Sequence, residues 1–468
     1  MLSRGLAAGG RLPSPHPMTA APAPREARSL RELSPQQWKS GVAAWLGWMF
    51  DGLELHLYTL VAAPLIVHLV GAASRNDPQV NEKSAYVQAA FLLGWAIGGG
   101  FFGRIGDKLG RSRALALTVL TYALCTGLCA FAQTWWQLMI FRFIAAVGIG
   151  GEWAVGASLL AETWPKAWRP WIAAVLQSGV NIGILIAAGV VWLIMPWLQQ
   201  LFTATGQPAA LHDLVLATRN LMPKLSPEHL VFLIGVFPAL GVYWIRRHVP
   251  EPENWQAAAR DAGPKPGIAD LFRGGVARIT WRTLVTCALS LSAWWLFMFW
   301  QAQHLRRILA NSGVPAAEVT RQVSAAFFFM IAVSIVGNYF AGWLARRLDN
   351  RRAIMALFFC LFAAMFGAFI VPRGFGELAW FWIPLVGFFS GVFGLFTMYM
   401  PPLFPTLLRT TGAGFCYNIG RSAAAVASIV FGLLAPVDDM RIALLYSSFL
   451  ALAATVSGFW LPADPRDA

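Results

Sequence analysis

Residues 103–115 read GRIGDKLGRSRAL, a glycine-flanked basic turn between two long apolar segments, and residues 342–352, GWLARRLDNRR, repeat it in degraded form. A short loop with several Arg and Lys between two apolar runs belongs on the cytoplasmic side of a membrane, and its recurrence implies two related helical bundles. Composition points the same way. Of 468 residues, 57% are hydrophobic and 12% charged, with 22 Trp and 33 Phe, whereas soluble domains carry roughly 25% charged residues. The formal net charge of +14 does not indicate nucleic acid, because the basic residues sit in short loops between spans instead of covering one water-facing surface. Cys125, Cys129, Cys287, Cys360 and Cys416 all lie inside apolar stretches, so they read as packing residues, with no disulfide framework or metal site.

Membrane spans need ~20 apolar residues each. They are expected at 41–69, 86–106, 113–132, 137–162, 171–197, 229–246, 282–303, 322–344, 353–372, 379–403, 412–435 and 442–461. The fold class is therefore an all-α membrane protein of twelve transmembrane helices in two pseudo-symmetric six-helix bundles. With twelve spans both termini share a side. On that alternation 25 of the 36 Lys and Arg fall in the termini and loops of one side and 9 on the other, with Arg142 and Arg421 inside spans. The excess places the N-terminus in the cytoplasm.

The first residues are rich in Ala, Pro and Arg and lack the apolar run of a secretory signal. We expect 1–37 to be a disordered cytoplasmic tail, with Met18 an alternative start. Ser34-Pro35-Gln36-Gln37 supplies an N-cap, a Pro at the first helical position and a capping-box Gln, so a helix begins there. The remaining domains are an N-terminal bundle at 38–246, a polar linker at 247–281, a C-terminal bundle at 282–462 and a short cytoplasmic tail at 463–468. WPKAWR at 164–169 and FPTLLR at 404–409 occupy corresponding places in the two halves, matching Pro165 with Pro405 and Arg169 with Arg409.

GRIGDKLGRSRAL is similar to the signature loop of the major facilitator superfamily, and RHVPEPENW at 247–255 resembles the segment after helix six there. FDGLELHLY (50–58), RFIAAVGIGGEWAVGASLLAETWPKAWR (142–169) and LQSGVNIG (176–183) resemble the metabolite:proton symporters of the sialate, lactate and aromatic-acid type. The resemblance implies a proton-coupled symporter that imports a small organic acid by alternating access in a bacterial inner membrane, as a monomer. It also implies that Arg142 takes part in proton coupling and that Asp107 braces the outward-facing state. Two departures stand out. Ala146 replaces a frequent Gly in the fourth span, and Arg346 replaces the acidic residue of the second loop, which implies unequal gates.

Charges inside spans are where chemistry is expected, since each costs ~2.5 to 3.5 kcal/mol at a helix centre on insertion scales. Asp51 and Glu54 lie three residues apart on one face of the first span, with Tyr58 four beyond. Two carboxylates so close in little water cannot both ionise cheaply. Asp51 is expected to be the proton carrier and Glu54 its partner or a substrate contact. His56 points to another face and reads first as a packing histidine. In the fourth span Gly148, Gly150 and Gly151 allow close helix contact, and Glu152 lies deeper than a loop residue should.

Arg421, among small residues in the eleventh span, is the expected anchor for the substrate carboxylate, because its planar fork binds both oxygens. Asn418, Gln177 and Asn181 are the expected polar contacts, while Trp295 and Gln301 from the aromatic seventh span would line the cavity and stack on a cyclic substrate. The gate is expected at Gly103, Asp107, Gly110, Arg111, Arg113, Glu162, Arg169 and Arg409. Asp107 would meet the positive N-terminal end of the eleventh helix near Thr411 and Gly412.

Partners are thus an organic anion, H+ and the lipid bilayer, with no nucleic acid. No cofactor or metal is implied, and no H-E-x-x-H, G-x-S-x-G or phosphate-cradling loop marks an enzyme. The alternatives are drug or metabolite export by antiport, which the absence of a Gly-Pro pair in the fifth span disfavours, and a transporter-like sensor, which the near absence of extramembrane domains disfavours.

Overall fold

A computed structural model describes residues 29–73, 77–203, 220, 222–261, 266–434 and 440–462. Residues 1–28 and 463–468, most of the two expected tails, lie outside the described set. The chain divides into two compact units, Met1–Leu33 and Ser34–Ala468. In the first, one 3-10 turn, Leu30–Glu32, is described.

The second unit is helical. α1 (Pro35–Val70) starts at the predicted cap: Gln37 N–H donates to Ser34 Oγ (3.3 Å) and Ser34 N–H to Gln37 Oε1 (2.8 Å). Then follow α2 (Pro78–Leu109), α3 (Arg111–Cys129), α4 (Trp135–Thr163) and α5 (Arg169–Thr203). The sixth helix, α6, is built of Pro227–Val231, a 3-10 segment Phe232–Val236 and Pro238–His248. The second half repeats the plan with α7 (Gly274–Asn311), α8 (Ala316–Leu348), α9 (Asn350–Phe369), α10 (Phe375–Leu403), α11 (Arg409–Leu434) and α12 (Met440–Ser457). Ten helices among the described residues are long and apolar enough to cross a membrane by length and composition. The other two expected spans lie within α1 and α11.

Several helices outrun the expected spans: α2 begins at Pro78 and α7 at Gly274, each eight residues early, α7 ends at Asn311, eight residues late, and the polar linker carries its own helix, Glu253–Asp261. Apolar length measures only the part of a helix that lies in oil. A nucleated helix continues through polar residues with fair helix propensity, such as the ARITWR stretch at 277–282.

Within the first half α2 packs on α4, α1 on α5 and α3 on α4. Within the second, α7 packs on α11 and α12, and α9 on α12. The halves meet chiefly through α2 against α11 and α5 against α8. α10 is interrupted at Ser390 and Gly391, between Ile383–Phe389 and Val392–Tyr399, where it passes the space between the halves. A broken helix at this depth is tolerated where it lines a cavity.

Candidate functional site

Between the halves lies a cavity of about 360 Å³. α1 contributes Trp48, Asp51 and His56, α2 contributes Trp95, α4 contributes Trp153, α5 contributes Gln177 and Asn181, and α7 contributes Trp294 and Trp295. α8 adds Ser334 and Asn338, α10 Ser390 and Phe393, and α11 Tyr417 and Arg421. Aromatic rings form the walls. Trp153 stacks on Tyr417 with centroids 4.1 Å apart and an interplanar angle of 8°, Trp48 stacks on Trp153 at 6.5 Å, and Trp95 meets Trp295 edge-on at 6.2 Å.

Arg421 is buried on one wall. Its guanidinium lies 3.7 Å from the Trp95 ring centroid and 5.0 Å from that of Tyr417. Nη1 donates to Asn418 Oδ1 (3.0 Å), while Nε has no hydrogen-bond partner among the described residues. Rings replace part of the lost hydration of a buried cation, yet they leave donors free for an anion. Asn418 does not line the cavity. Its Nδ2 donates to Gly414 O (2.9 Å) and Gly150 O (3.3 Å), so it ties α11 to α4 and holds Arg421 in place.

Asp51 lines the cavity in the field of Arg421, and the acid that bears most strongly on its carboxyl is Glu152, ahead of Glu54. Glu152 is fully buried over Gly47 of α1, with neither oxygen meeting a donor among the described residues. Two carboxyls buried this near one another cannot both ionise cheaply. Sequence reasoning noted Glu152 only as unusually deep. The informative signal was a carboxylate in GGEW, where flanking glycines let α4 approach its neighbours.

The expected pairing of Asp51 with Glu54 is corrected. Glu54 is ion-paired with Arg142 in a fully buried contact and also accepts from Thr126 Oγ1 (2.7 Å). Tyr58 belongs to this cluster, its ring centroid 4.5 Å from the Arg142 guanidinium. Neither Glu54, Arg142 nor Tyr58 lines the cavity. Residues three apart differ by about 60° around a helix, and at the α1 position that rotation carries Glu54 from the cavity to α3 and α4. Gln301 is likewise buried without lining the cavity, whereas Gln177, Asn181 and Trp295 do line it. Asn181 Nδ2 donates across the halves to Ser334 Oγ (2.7 Å). His56 both lines the cavity and hydrogen-bonds Gly52 O through Nδ1 (3.0 Å).

The α2–α3 loop ties the two halves together at one end. Asp107 accepts from Thr411 N–H (2.8 Å), Thr411 Oγ1 (2.6 Å) and Thr410 N–H (3.3 Å), a cap on the first turn of α11 in the opposite half. Arg111 grips Glu162 through Nε (3.1 Å) and Nη2 (2.9 Å), pairs with Asp107 (3.2 Å) and donates to Thr406 O (2.6 Å) across the halves. Arg409 reaches back to Glu162 at 3.0 Å. Gly103 packs against the same turn, where a Cβ would come within 2.9 Å of Thr410 O, and Gly110 adopts φ +108°, open to glycine at low cost. Arg169 donates to Ala161 O (2.5 Å) at the α4–α5 corner. Arg113 departs from expectation: its side chain is exposed and makes no ion pair among the described residues, and its contribution is a backbone N–H donated to Glu251 Oε1 (3.0 Å). Glu251 also accepts from Ser112 N–H (3.1 Å) and so caps α3, a linker role that the sequence reading did not assign.

The family model of the Major Facilitator Superfamily matches residues 44–389. A probable 4-methylmuconolactone transporter of Cupriavidus pinatubonensis is 27% identical over 92% of this chain and 92% of its own length. The sialic acid transporter NanX of Escherichia coli is 25% identical over 92% and 96%, and the niacin transporter NiaP of Acinetobacter baylyi 27% over 82% and 84%. Among solved structures, FucP in the outward conformation superposes with a TM-score of 0.68 at 15% identity, covering 90% of this chain and 98% of FucP. A family match across most of the chain, on two six-helix halves joined through the Asp107 cap on α11, makes this integral membrane protein a member of the major facilitator superfamily of transporters.

Proposed function

We propose that the chain is a proton-coupled symporter that imports a small cyclic carboxylate by alternating access. The observation that carries this reading is the placement of Arg421, among aromatic walls, in one cavity with Asp51, behind which Glu152 is buried as a second carboxyl. Arg421 takes the carboxylate, Trp95, Trp153 and Tyr417 take the ring, and Gln177 and Asn181 give polar contacts. Relatives named for a muconolactone, sialic acid and niacin support an organic acid. A cavity near the small end of the ~300 to 1,000 Å³ typical of ligand pockets favours a single ring.

Charge balance then gives the coupling. With one proton shared by Asp51 and Glu152, the empty site holds one negative and one positive charge. Binding one acid anion and one proton leaves Arg421 paired with the anion and both carboxyls neutral. Anion alone or proton alone leaves a net charge in a low-dielectric site, which opposes rocking of the halves. The one-to-one cycle moves no net charge, so the membrane potential, worth ~2.3 kcal/mol per charge per 100 mV, drops out and the pH gradient drives uptake.

The bundles at 38–246 and 282–462 act as the rocking bodies, the linker tethers them, and the gate of Asp107, Arg111, Glu162 and Arg409 faces a bacterial cytoplasm, with both termini on that side. Glu54 and Arg142 brace α1 against α4 beside the proton pair. The transporter works as a monomer in the inner membrane.

The test is uptake of labelled benzoate, nicotinate and sialate by proteoliposomes, with and without an inward acid gradient. Gradient-dependent accumulation that a protonophore abolishes is expected. Arg421→Lys is expected to weaken affinity by about tenfold or more, through loss of bidentate, stacked recognition. Uptake indifferent to the gradient, or an unchanged affinity in Arg421→Lys, would overturn the reading.

A further inference from the structure

The two halves present the same loop to the opposite half with opposite charge. Gly103 packs on the first turn of α11, and its counterpart Gly342 packs on the first turn of α5, where a Cβ would lie 2.6 Å from Pro170 O. Four residues on, the first loop has Asp107 and the second has Arg346. Three further on, both chains turn with positive φ, +108° at Gly110 and +83° at Asp349. The carboxylate that ties α2 to α11 therefore has no equivalent between α8 and α5. A groove of about 570 Å³ opens at that place, lined by Trp171 and Ala174 of α5 and by Tyr339, Trp343, Arg346 and Arg347 of α8.

The groove has the character of a lipid site. Tyr339 and Trp343 are 44% and 52% exposed on a flank of a membrane protein, so an apolar chain can lie along them. Trp171 is held by stacking on Trp164 (6.1 Å) and edge-on contact with Trp168 (6.1 Å), which makes a firm wall. Arg346 and Arg347 are exposed at the end of α8 and touch only rings among described partners, Trp168 at 5.5 Å and Trp343 at 5.8 Å. The nearby acids are engaged elsewhere: Asp349 pairs with Arg352 (3.4 Å) and Glu162 with Arg111 and Arg409. On the opposite flank the linker supplies its own cover, with Ile268 in the groove beside Arg104.

We propose that this groove binds an anionic phospholipid of the gate-side leaflet, its phosphate between Arg346 and Arg347 and its glycerol and acyl chain along Trp171, Tyr339 and Trp343. The phosphate supplies in trans the negative charge that Asp107 supplies in the other half, so the lipid braces α5 against α8 in the gate-closed state. The inference needs the gate, not the substrate or its coupling, and the leaflet is cytoplasmic by the orientation proposed above.

The experiment reconstitutes the full chain in phosphatidylcholine vesicles with and without phosphatidylglycerol and counts retained lipid by native mass spectrometry. An arginine beside an anionic surface is worth about fivefold in binding, so the pair gives phosphatidylglycerol a preference of about 25-fold. Arg346→Gln with Arg347→Gln is expected to bring the preference close to unity, and Arg346→Lys with Arg347→Lys to keep most of it in a protein of unchanged charge. Arg346→Asp, which restores the carboxylate of the first loop, is expected to lose the lipid as well. Undiminished preference in the Gln or Asp proteins would overturn the site. Displacement of the lipid by inorganic phosphate would overturn the lipid assignment in favour of a soluble anion.

Discussion

Removing both carboxyls of the proton pair should turn a coupled carrier into an exchanger. In Asp51→Asn with Glu152→Gln, Arg421 is the charge left facing the cavity, so the site is neutral only while it holds the acid anion. The loaded carrier can still rock, whereas the empty one must carry a bare guanidinium through the occluded state. A lone charge at a helix centre costs ~2.5 to 3.5 kcal/mol on insertion scales, which slows return of the empty carrier by roughly 60- to 300-fold. Net uptake should fall by that factor and lose its response to an acid gradient. Counterflow of labelled against unlabelled acid never requires the empty return, so it should persist and become independent of pH. Each single variant keeps one carboxyl, and with it the balance of one anion and one proton, so it should lose rate but not gradient dependence. Proteoliposome uptake and counterflow, measured side by side, read both quantities. A double variant that still accumulates acid in response to the gradient would refute the charge-balance argument.

Three further outcomes follow from other contacts. Glu54→Gln leaves Arg142 buried without its anion, which should cost about 3 to 5 kcal/mol, read as a lower melting temperature in detergent while the proton-to-substrate ratio is unchanged; a changed ratio would place Glu54 in the coupling itself. Glu162→Gln removes the acceptor shared by Arg111 and Arg409, and spin labels on the gate-side ends of α2 and α11 should report a longer-distance population that is minor in the parent. Asp270 accepts from the Gly267 N–H (2.7 Å), which, with the nearby Arg273, holds its carboxyl below the usual aspartate range. The charged carboxylate is therefore favoured in the folded linker, so its contribution is complete above the ordinary aspartate range and disappears as pH falls through the lowered value. Exchange of the Gly267 amide should quicken across that acid window, and Asp270→Asn should flatten the dependence.

What could be read from the chain divides by how local the physics is. The contacts of the α2–α3 loop were legible because its parts lie at helix ends, where Gly110 stops α2, Arg111 starts α3 and an acid three residues before Gly110 meets the N-terminus of α11; spacing along the chain and the internal repeat carry that information. Helix count and the α1 cap were legible for the same reason. Span ends were less so, since oil selects for apolar side chains but helix propensity does not stop at the headgroups, as α7 shows by starting at Gly274. Inside the bundle the sequence announces that a residue is charged and how deep it lies, but its partner depends on an angle around the helix that packing sets. Asp51 and Glu54 differ by about 60°, enough to send one to Glu152 and the cavity and the other to Arg142. Asn418 and Arg421, at the same spacing, divide in the same way into a brace and a donor. A buried charge in a membrane helix therefore marks a polar cluster, bracing as at Glu54 and Arg142 or cavity-lining as at Asp51 and Arg421, whereas an i,i+3 pair of charges is weak evidence of a partnership: the low dielectric that makes each charge conspicuous also compels each to take the best counter-charge available on whichever neighbour it faces.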